Sequence, residues 1–188
     1  MSPVYQEFEY TLAWHCAPSM AGIKPADLIS WRIPEGEGLK VLGYYANVLS
    51  RRGIRMRVLG RNGDRLLILI FRPGRLECCL RDPRVEEMLS RAGYPVGAGT
   101  QQLLCHLRDQ LSQSDFPHEI GLFLGYPPED VEGFRADGGR CCKYSGTWKV
   151  YGDVSQARKQ FDAFHRCRQA LTRKLNQGKT LEQMFPAA

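Results

Sequence analysis

The feature that most constrains the fold is an Asn-Gly pair placed between two segments of strand-like sequence. Residues 54–59 alternate apolar side chains with arginine, and residues 65–71 are almost entirely apolar. Between them lies Arg61-Asn62-Gly63-Asp64, and Asn-Gly is typical of two-residue hairpin turns because both central positions need a positive φ. The sequence therefore predicts an antiparallel β-hairpin, whose second strand ends at Pro73.

Apolar side chains that recur at three- to four-residue spacing predict several helices around this hairpin. Asp82 followed by Pro83 is a typical helix start, because aspartate accepts hydrogen bonds from first-turn amides and proline has no amide to satisfy. Lys24-Pro25-Ala26-Asp27-Leu28 is interpreted as the start of another helix. The remaining predicted helices cover residues 5–15, 39–49, 74–80, 82–91, 103–111, 128–134 and 154–175.

Two further strands are predicted at residues 119–124 and 147–152. Four strands interleaved with about seven helices indicate an α/β or α+β fold with a small central sheet of about four strands packed with helices. Because 188 residues suffice for one substantial core, we expect a single domain over residues 1–188.

The sequence also indicates where the protein resides. It has no apolar run of the roughly 18 to 20 residues that cross a bilayer. Glu7 and Glu9 stand where a signal peptide would be apolar. Seven cysteines form an odd set that predicts reduced thiols. We therefore expect a cytoplasmic protein without a membrane segment.

Positive charge is concentrated in the segment from Arg51 to Arg84, which contains ten arginines, both ends included, and three acidic residues. Arginine forks match phosphate groups, but these arginines alternate along strands and turns and no set of aromatic side chains is interleaved with them. A solvated or packing surface is the favoured interpretation, and nucleic acid is an unlikely partner.

Common cofactor and catalytic motifs are missing. There is no phosphate-binding loop, no dinucleotide fingerprint after a strand and no serine nucleophile elbow. No cofactor is indicated, and no metal site is predicted because zinc-ligand spacings are absent. A metal held by Cys16, His118 and Cys142 from separated loops stays an alternative.

The stretch of residues 116–153 is the most informative for function, because it holds His118, three prolines, two cysteines and two predicted strands. Cys16 near a helix start and His118 entering a strand follow the order found in papain-like thiol enzymes. In this hypothesis Cys16 is the nucleophile, His118 the base, and Glu119 or Asp130 orients the imidazole. The structural alternative makes Cys16 a buried hydrophobe and bonds His118 to a backbone carbonyl.

A second group of candidate residues surrounds the predicted strand at 147–152. Cys142 has Lys143 beside it, which favours a thiolate. Trp148, Lys149 and Tyr151 lie between glycines that allow a ligand to approach the backbone closely. This pattern favours a site for a flat anionic compound, although Trp148 also suits the core.

Two resemblances bear on function. The first is local and covers residues 118–125, which read HEIGLFLG. This segment resembles the histidine strand of NlpC-type cell-wall peptidases, with one extra residue between the histidine and the glycine.

Over nearly its full length the chain resembles domain-of-unknown-function family 3793, which is frequent in anaerobic gut bacteria. The blocks that carry this resemblance are HCAPSMAGIKPADLISW, FPHEIGLFLGYPPEDVEGF, the cysteine before GTWKVYGD and a last helix with one cysteine. It implies a cytoplasmic bacterial protein without an assigned activity. The first functional hypothesis is a thiol-dependent hydrolase or transferase; the alternative is a non-catalytic protein that binds a small anionic ligand, a cofactor or a protein partner.

Overall fold

The computed structural model describes residues 2–113 and 116–186, and its contacts divide the chain into two compact units. Unit 1 holds the described residues up to 73 and from 165 onward, and unit 2 holds the described part of residues 74–164. The expected mixture of helices and strands is confirmed, while the single-domain organisation stays a prediction.

Within these described ranges the chain forms ten helices and five strands. In chain order they are α1 (Pro3–His15), α2 (Ala17–Met20), β1 (Ala26–Arg32), α3 (Gly38–Ser50), β2 (Arg55–Asn62), β3 (Arg65–Phe71), α4 (Pro73–Leu80), α5 (Pro83–Arg91), α6 (Thr100–Leu111), α7 (Ile120–Phe123), α8 (Pro128–Asp137), β4 (Tyr144–Ser145), β5 (Lys149–Val150), α9 (Val154–Asn176) and α10 (Leu181–Met184). None of the helices among these residues combines the length and the apolar character needed to cross a membrane.

The hairpin predicted from Asn62-Gly63 is confirmed in unit 1, where β2 and β3 pair antiparallel with Asn62 opposite Arg65. A shift in register between Val58 and Gly60 marks a bulge in β2. β1 pairs with the other edge of β3, which makes a three-stranded sheet of order β1-β3-β2. The predicted small sheet of about four strands corresponds to two small sheets among the described residues, because β4 and β5 form a separate two-stranded sheet in unit 2.

β1 corrects the helix predicted to start at Lys24-Pro25-Ala26-Asp27-Leu28. Ile29 and Trp31 are buried, whereas Ser30 and Arg32 are exposed. This alternation is the period of a strand with one buried face. The proline indicated a helix start, but the alternation that follows it and the pairing with β3 decide for a strand.

The core of unit 1 lies between its sheet and helices α1 and α3. Phe8 of α1 packs against Trp31 of β1, with their ring centroids 4.4 Å apart, and against Tyr45 of α3 at 5.5 Å. Leu171 of α9 and Leu181 of α10 belong to the same buried cluster. The helices predicted at residues 5–15 and 39–49 are thereby confirmed.

The helices of unit 2 follow the predictions closely in most places. Asp82 caps α5 as expected, because its Oδ1 accepts hydrogen bonds from the backbone amides of Arg84, at 2.9 Å, and of Val85, at 3.3 Å. Asp153 precedes α9 and its Oδ1 accepts from the amide of Gln156 at 3.0 Å. Local capping chemistry therefore sets both helix starts.

The strand predicted at residues 119–124 is wrong, because this segment forms α7. Successive turns begin at Pro117, whose carbonyl accepts a hydrogen bond from the amide of Ile120 at 3.2 Å. Gly125 ends the helix with φ +74°, a conformation that glycine adopts without strain. Residues 120–124 are all buried. A short apolar run has no periodicity that separates a buried strand from a buried helical turn.

The strand predicted at residues 147–152 is shorter than expected. Only Lys149 and Val150 form β5, which pairs with Tyr144 and Ser145 of β4. Gly146 closes the connecting loop, since its amide donates to the carbonyl of Trp148 at 3.0 Å. The resulting small hairpin positions most of the residues discussed below.

Candidate functional site

Unit 2 contains a cavity of about 470 Å³. This volume is within the roughly 300 to 1,000 Å³ typical of sites for small molecules. The described residues that line the cavity lie within the stretch singled out from the sequence: Phe116, His118, Ile120, Gly121, Tyr126, Asp130, Val131, Phe134, Ser145, Gly146, Thr147, Trp148 and Lys149. They come from α7 with its preceding turn, from α8 and from the β4–β5 hairpin.

Asp130 of α8 holds the hairpin against the helix. The side chain is buried, and its Oδ2 accepts a hydrogen bond from the indole Nε1 of Trp148 at 2.6 Å. Its Oδ1 accepts from the backbone amides of Tyr151, at 2.7 Å, and Gly152, at 2.8 Å. Three donors thus satisfy a carboxylate that would otherwise be costly to bury. They also fix the orientation of the Trp148 ring.

Aromatic rings form much of the cavity wall. Trp148 stacks on Tyr126 with centroids 4.7 Å apart and an interplanar angle of 26°. Elsewhere in the lining, the ring of His118 meets Phe134 edge to face, with the centroids 5.3 Å apart. Phe116 is also part of the lining and is 56% exposed. Such walls favour an apolar or aromatic body in a bound molecule.

Two side chains that can carry positive charge line this apolar cavity without a protein acceptor. His118 is exposed and Lys149 is half-buried. Neither forms a hydrogen bond or an ion pair with another residue in the described part of the chain. Ser145 and Thr147 add hydroxyl groups to the lining. The cavity therefore offers hydrogen-bond donors to an anionic group.

Cys16, the predicted nucleophile, lies in unit 1 and is fully buried. Burial, followed by the negative charge of Asp27, raises the pKa of its thiol well above the usual value. Both effects oppose the thiolate that attacks in cysteine enzymes. His118, the predicted base, belongs to unit 2, and its neighbour Glu119 has a carboxylate oxygen 3.7 Å from the guanidinium of Arg135. These surroundings match the structural alternative for Cys16.

We expect iodoacetamide to label Cys16 at least about tenfold more slowly than Cys78 in the native protein, because reactivity follows thiolate character and access. Cys78 is an exposed thiol and serves as the internal reference. Mass spectrometry of peptides after timed quenching measures both rates. Rapid labelling of Cys16 that His118→Ala slows would contradict this expectation and support thiol catalysis.

The remaining predicted ligand residues lie near the cavity but not in its lining. Lys143 donates from Nζ to the carbonyl of Gly152 at 3.2 Å, and Cys142 is half-buried. The hydroxyl of Tyr151 donates to the carboxylate of Asp137. This hydrogen bond lowers the pKa of Asp137 to about 2. Tyr151 thus supports the loop that precedes the hairpin.

Residues 2–113 and 116–186 contain no group of side chains arranged to bind a metal ion. No three histidine, cysteine, aspartate or glutamate side chains there are grouped closely enough to hold an ion. Cysteine and histidine are the usual ligands of zinc, and no such group is found among these residues.

The arginines of unit 1 donate mainly to acceptors within that unit. Arg65 donates to the hydroxyl and the carbonyl of Ser30, both at 2.9 Å, and Arg72 donates to the carbonyl of Met20 at 2.8 Å. Arg52 donates to the carbonyl and the carboxylate of Glu182. These contacts agree with a packing and solvated role, and the absence of nucleic-acid binding stays a prediction.

Sequence reasoning identified His118, Trp148 and Lys149, which the structure brings into one cavity, but it missed the aromatic residues around them. Phe116, Tyr126 and Phe134 lie within a span that also holds His118. Their clustering in this short segment was the available signal. Their convergence depends on the turn at α7 and on α8, which the predicted strand did not provide.

Comparison with known proteins gave a family and no closer relative. Neither the curated proteins nor the solved structures yielded a match. A family model described as Protein of unknown function (DUF3793) matches residues 12–185. This range includes most of unit 1, all of unit 2 and every residue of the cavity lining given above. The chain therefore belongs to the DUF3793 family of proteins of unknown function.

Proposed function

We propose that this protein binds a small anionic molecule with an apolar body in the cavity of unit 2. The observation that carries the proposal is the placement of Lys149 and His118, which have no acceptor among the described residues, on the lining of an aromatic cavity. A pocket that is mostly apolar and has a few convergent polar groups is the usual form of a small-molecule site.

The two parts of the lining would contribute in different ways. The aromatic wall at Tyr126, Phe134 and Trp148 removes apolar ligand surface from water, which stabilises binding by about 25 cal/mol for each Å² buried. A bond from the Lys149 ammonium to an anion is charge-assisted and stronger than a neutral hydrogen bond. The apolar wall thus favours binding, and the charged donor selects for an acid.

Binding is favoured over thiol-dependent hydrolysis or transfer because of the state of Cys16. That mechanism requires a thiolate that a substrate can reach. The thiol is instead fully buried, and its pKa is raised by burial and by Asp27. Among the described residues that line the cavity, none is one of the seven cysteines. We propose a binding function without covalent chemistry at Cys16.

A cytoplasmic location is part of this proposal. All seven cysteines are free thiols, including the exposed Cys78 and Cys141. Exposed thiols persist in reducing compartments, whereas secreted domains tend to pair their cysteines.

The expected result for the cavity is that Lys149→Gln weakens binding of 8-anilinonaphthalene-1-sulfonate by about tenfold or more, because one charged hydrogen bond is worth about 1.5 to 3 kcal/mol. The probe combines aromatic rings with a sulfonate. Its fluorescence on titration into the native protein gives the dissociation constant.

Lys159→Gln is the matched control, since Lys159 is an exposed lysine of unit 2 outside the cavity lining. It makes the same change in net charge and should leave the dissociation constant within about twofold. Equal weakening by both substitutions, or no saturable binding by the native protein, would overturn the proposed site.

A further inference from the structure

The buried end of the cavity lining holds a hydrogen-bond acceptor that is only partly used. An ionised carboxylate offers about four lone-pair positions. The described residues use three of them at Asp130: two on Oδ1, by Tyr151 and Gly152, and one on Oδ2, by Trp148. Asp130 is 3% exposed and belongs to the cavity lining. One acceptor position on Oδ2 therefore has no donor among the described residues.

The Asp130 carboxylate is negative, whereas the donors in the same lining can carry positive charge. Lys149 and His118 suit an anionic group, whereas the carboxylate of Asp130 repels an anion and accepts an N–H. The rings of Tyr126 and Phe134 belong to the same lining. The lining thus combines an N–H acceptor, an aromatic wall and donors for an acid.

Planar rings fit this wall better than flexible chains. Aromatic pairs with centroids 4.5 to 7 Å apart gain free energy beyond the area that they bury. The protein already uses such contacts here, with Trp148 on Tyr126 at 4.7 Å and His118 on Phe134 at 5.3 Å. A rigid ring also loses less conformational entropy on binding than an aliphatic chain of the same size.

We propose that the ligand class is a planar nitrogen heteroaromatic acid. Its ring N–H donates to Oδ2 of Asp130, its ring packs on the aromatic wall, and its acid group binds Lys149 and His118. The inference rests on the proposed function and adds the ring N–H to the requirement for an anion. An analogue without the N–H loses a charge-assisted hydrogen bond to Asp130, whose Oδ2 then keeps only the bond from Trp148.

Isothermal titration calorimetry with three probes tests the inference. Indole-3-acetate has the ring N–H and the acid, naphthalene-1-acetate has the acid on a carbon bicycle, and indole-3-acetamide has the N–H without the charge. We expect indole-3-acetate to bind at least about tenfold more tightly than either analogue. Lys149→Gln should weaken the binding of indole-3-acetate and leave the affinity for indole-3-acetamide unchanged. Lys159→Gln should change the affinity for neither probe.

The outcomes separate the inference from the proposed function. Equal affinity for indole-3-acetate and naphthalene-1-acetate would overturn the role of Asp130 while the anion site stands. Failure of indole-3-acetate to bind, with Lys149-dependent binding of 8-anilinonaphthalene-1-sulfonate retained, would overturn the heteroaromatic class alone. Loss of binding for every probe would overturn both.

Discussion

Asp27→Ala is expected to lower the free energy of unfolding of unit 1 by about 3 to 5 kcal/mol, the cost of removing one partner from a buried ion pair. Oδ1 of Asp27 accepts from the Lys24 ammonium at 2.7 Å, and both side chains are only 5% exposed. Oδ2 accepts from the backbone amide of Ser19 at 3.0 Å. The substitution leaves a buried charge and a buried amide without this acceptor.

Asp64→Ala is the control for this prediction. Asp64 pairs with Arg32 in the same unit, but the two side chains are 51% and 76% exposed. Exposed pairs contribute about 0 to 1 kcal/mol. Urea denaturation followed by tryptophan fluorescence and circular dichroism measures both variants. Equal, small losses of stability would show that Asp27 is not the buried anchor described here.

Asp130→Ala is expected to destabilise unit 2 by about 3 to 5 kcal/mol, because a buried donor left without an acceptor costs about 1 to 3 kcal/mol. The indole of Trp148 and the amides of Tyr151 and Gly152 all lose their acceptor at once. The β4–β5 hairpin has two residues in each strand, so few other hydrogen bonds hold it.

Asp153→Ala provides the comparison in the same unit. Asp153 is exposed and caps α9 through one bond to the amide of Gln156. Loss of a helix cap costs about 1 kcal/mol. Urea denaturation gives the stabilities, and hydrogen exchange of residues 144–152 reports on the hairpin. An Asp130→Ala variant as stable as Asp153→Ala, with unchanged exchange, would refute the anchoring role.

Local signals predicted the elements whose formation depends on neighbouring residues. Asn62-Gly63 predicted the β2–β3 hairpin, although the two turn residues are Gly63 and Asp64: Asn62 ends β2 opposite Arg65, and Gly63 supplies the positive φ. Asp82 predicted the start of α5 through hydrogen bonds to amides two and three residues away. Long helices such as α1 and α9 were predicted because their periodic apolar residues define a face over several turns.

The wrong predictions concern segments whose conformation depends on distant contacts. β1 is a strand because β3 supplies its partners some forty residues later, with Ala26 opposite Phe71. α7 packs closely on α8, since a Cβ on Gly121 would lie 2.9 Å from the side chain of Val131, and the short apolar run does not encode this contact.

The sequence by itself determined that the chain is an α/β protein, where its hairpin and main helices lie, and which stretch holds the candidate site. It also identified His118, Trp148 and Lys149 as residues of interest. Only the tertiary structure decided that these three share a cavity and that Asp130 anchors its wall. Burial decided the state of Cys16, whose pKa is raised by surroundings from several elements. Hydrogen bonds within a turn or cap are encoded locally, whereas burial and convergence arise when segments far apart in sequence pack together.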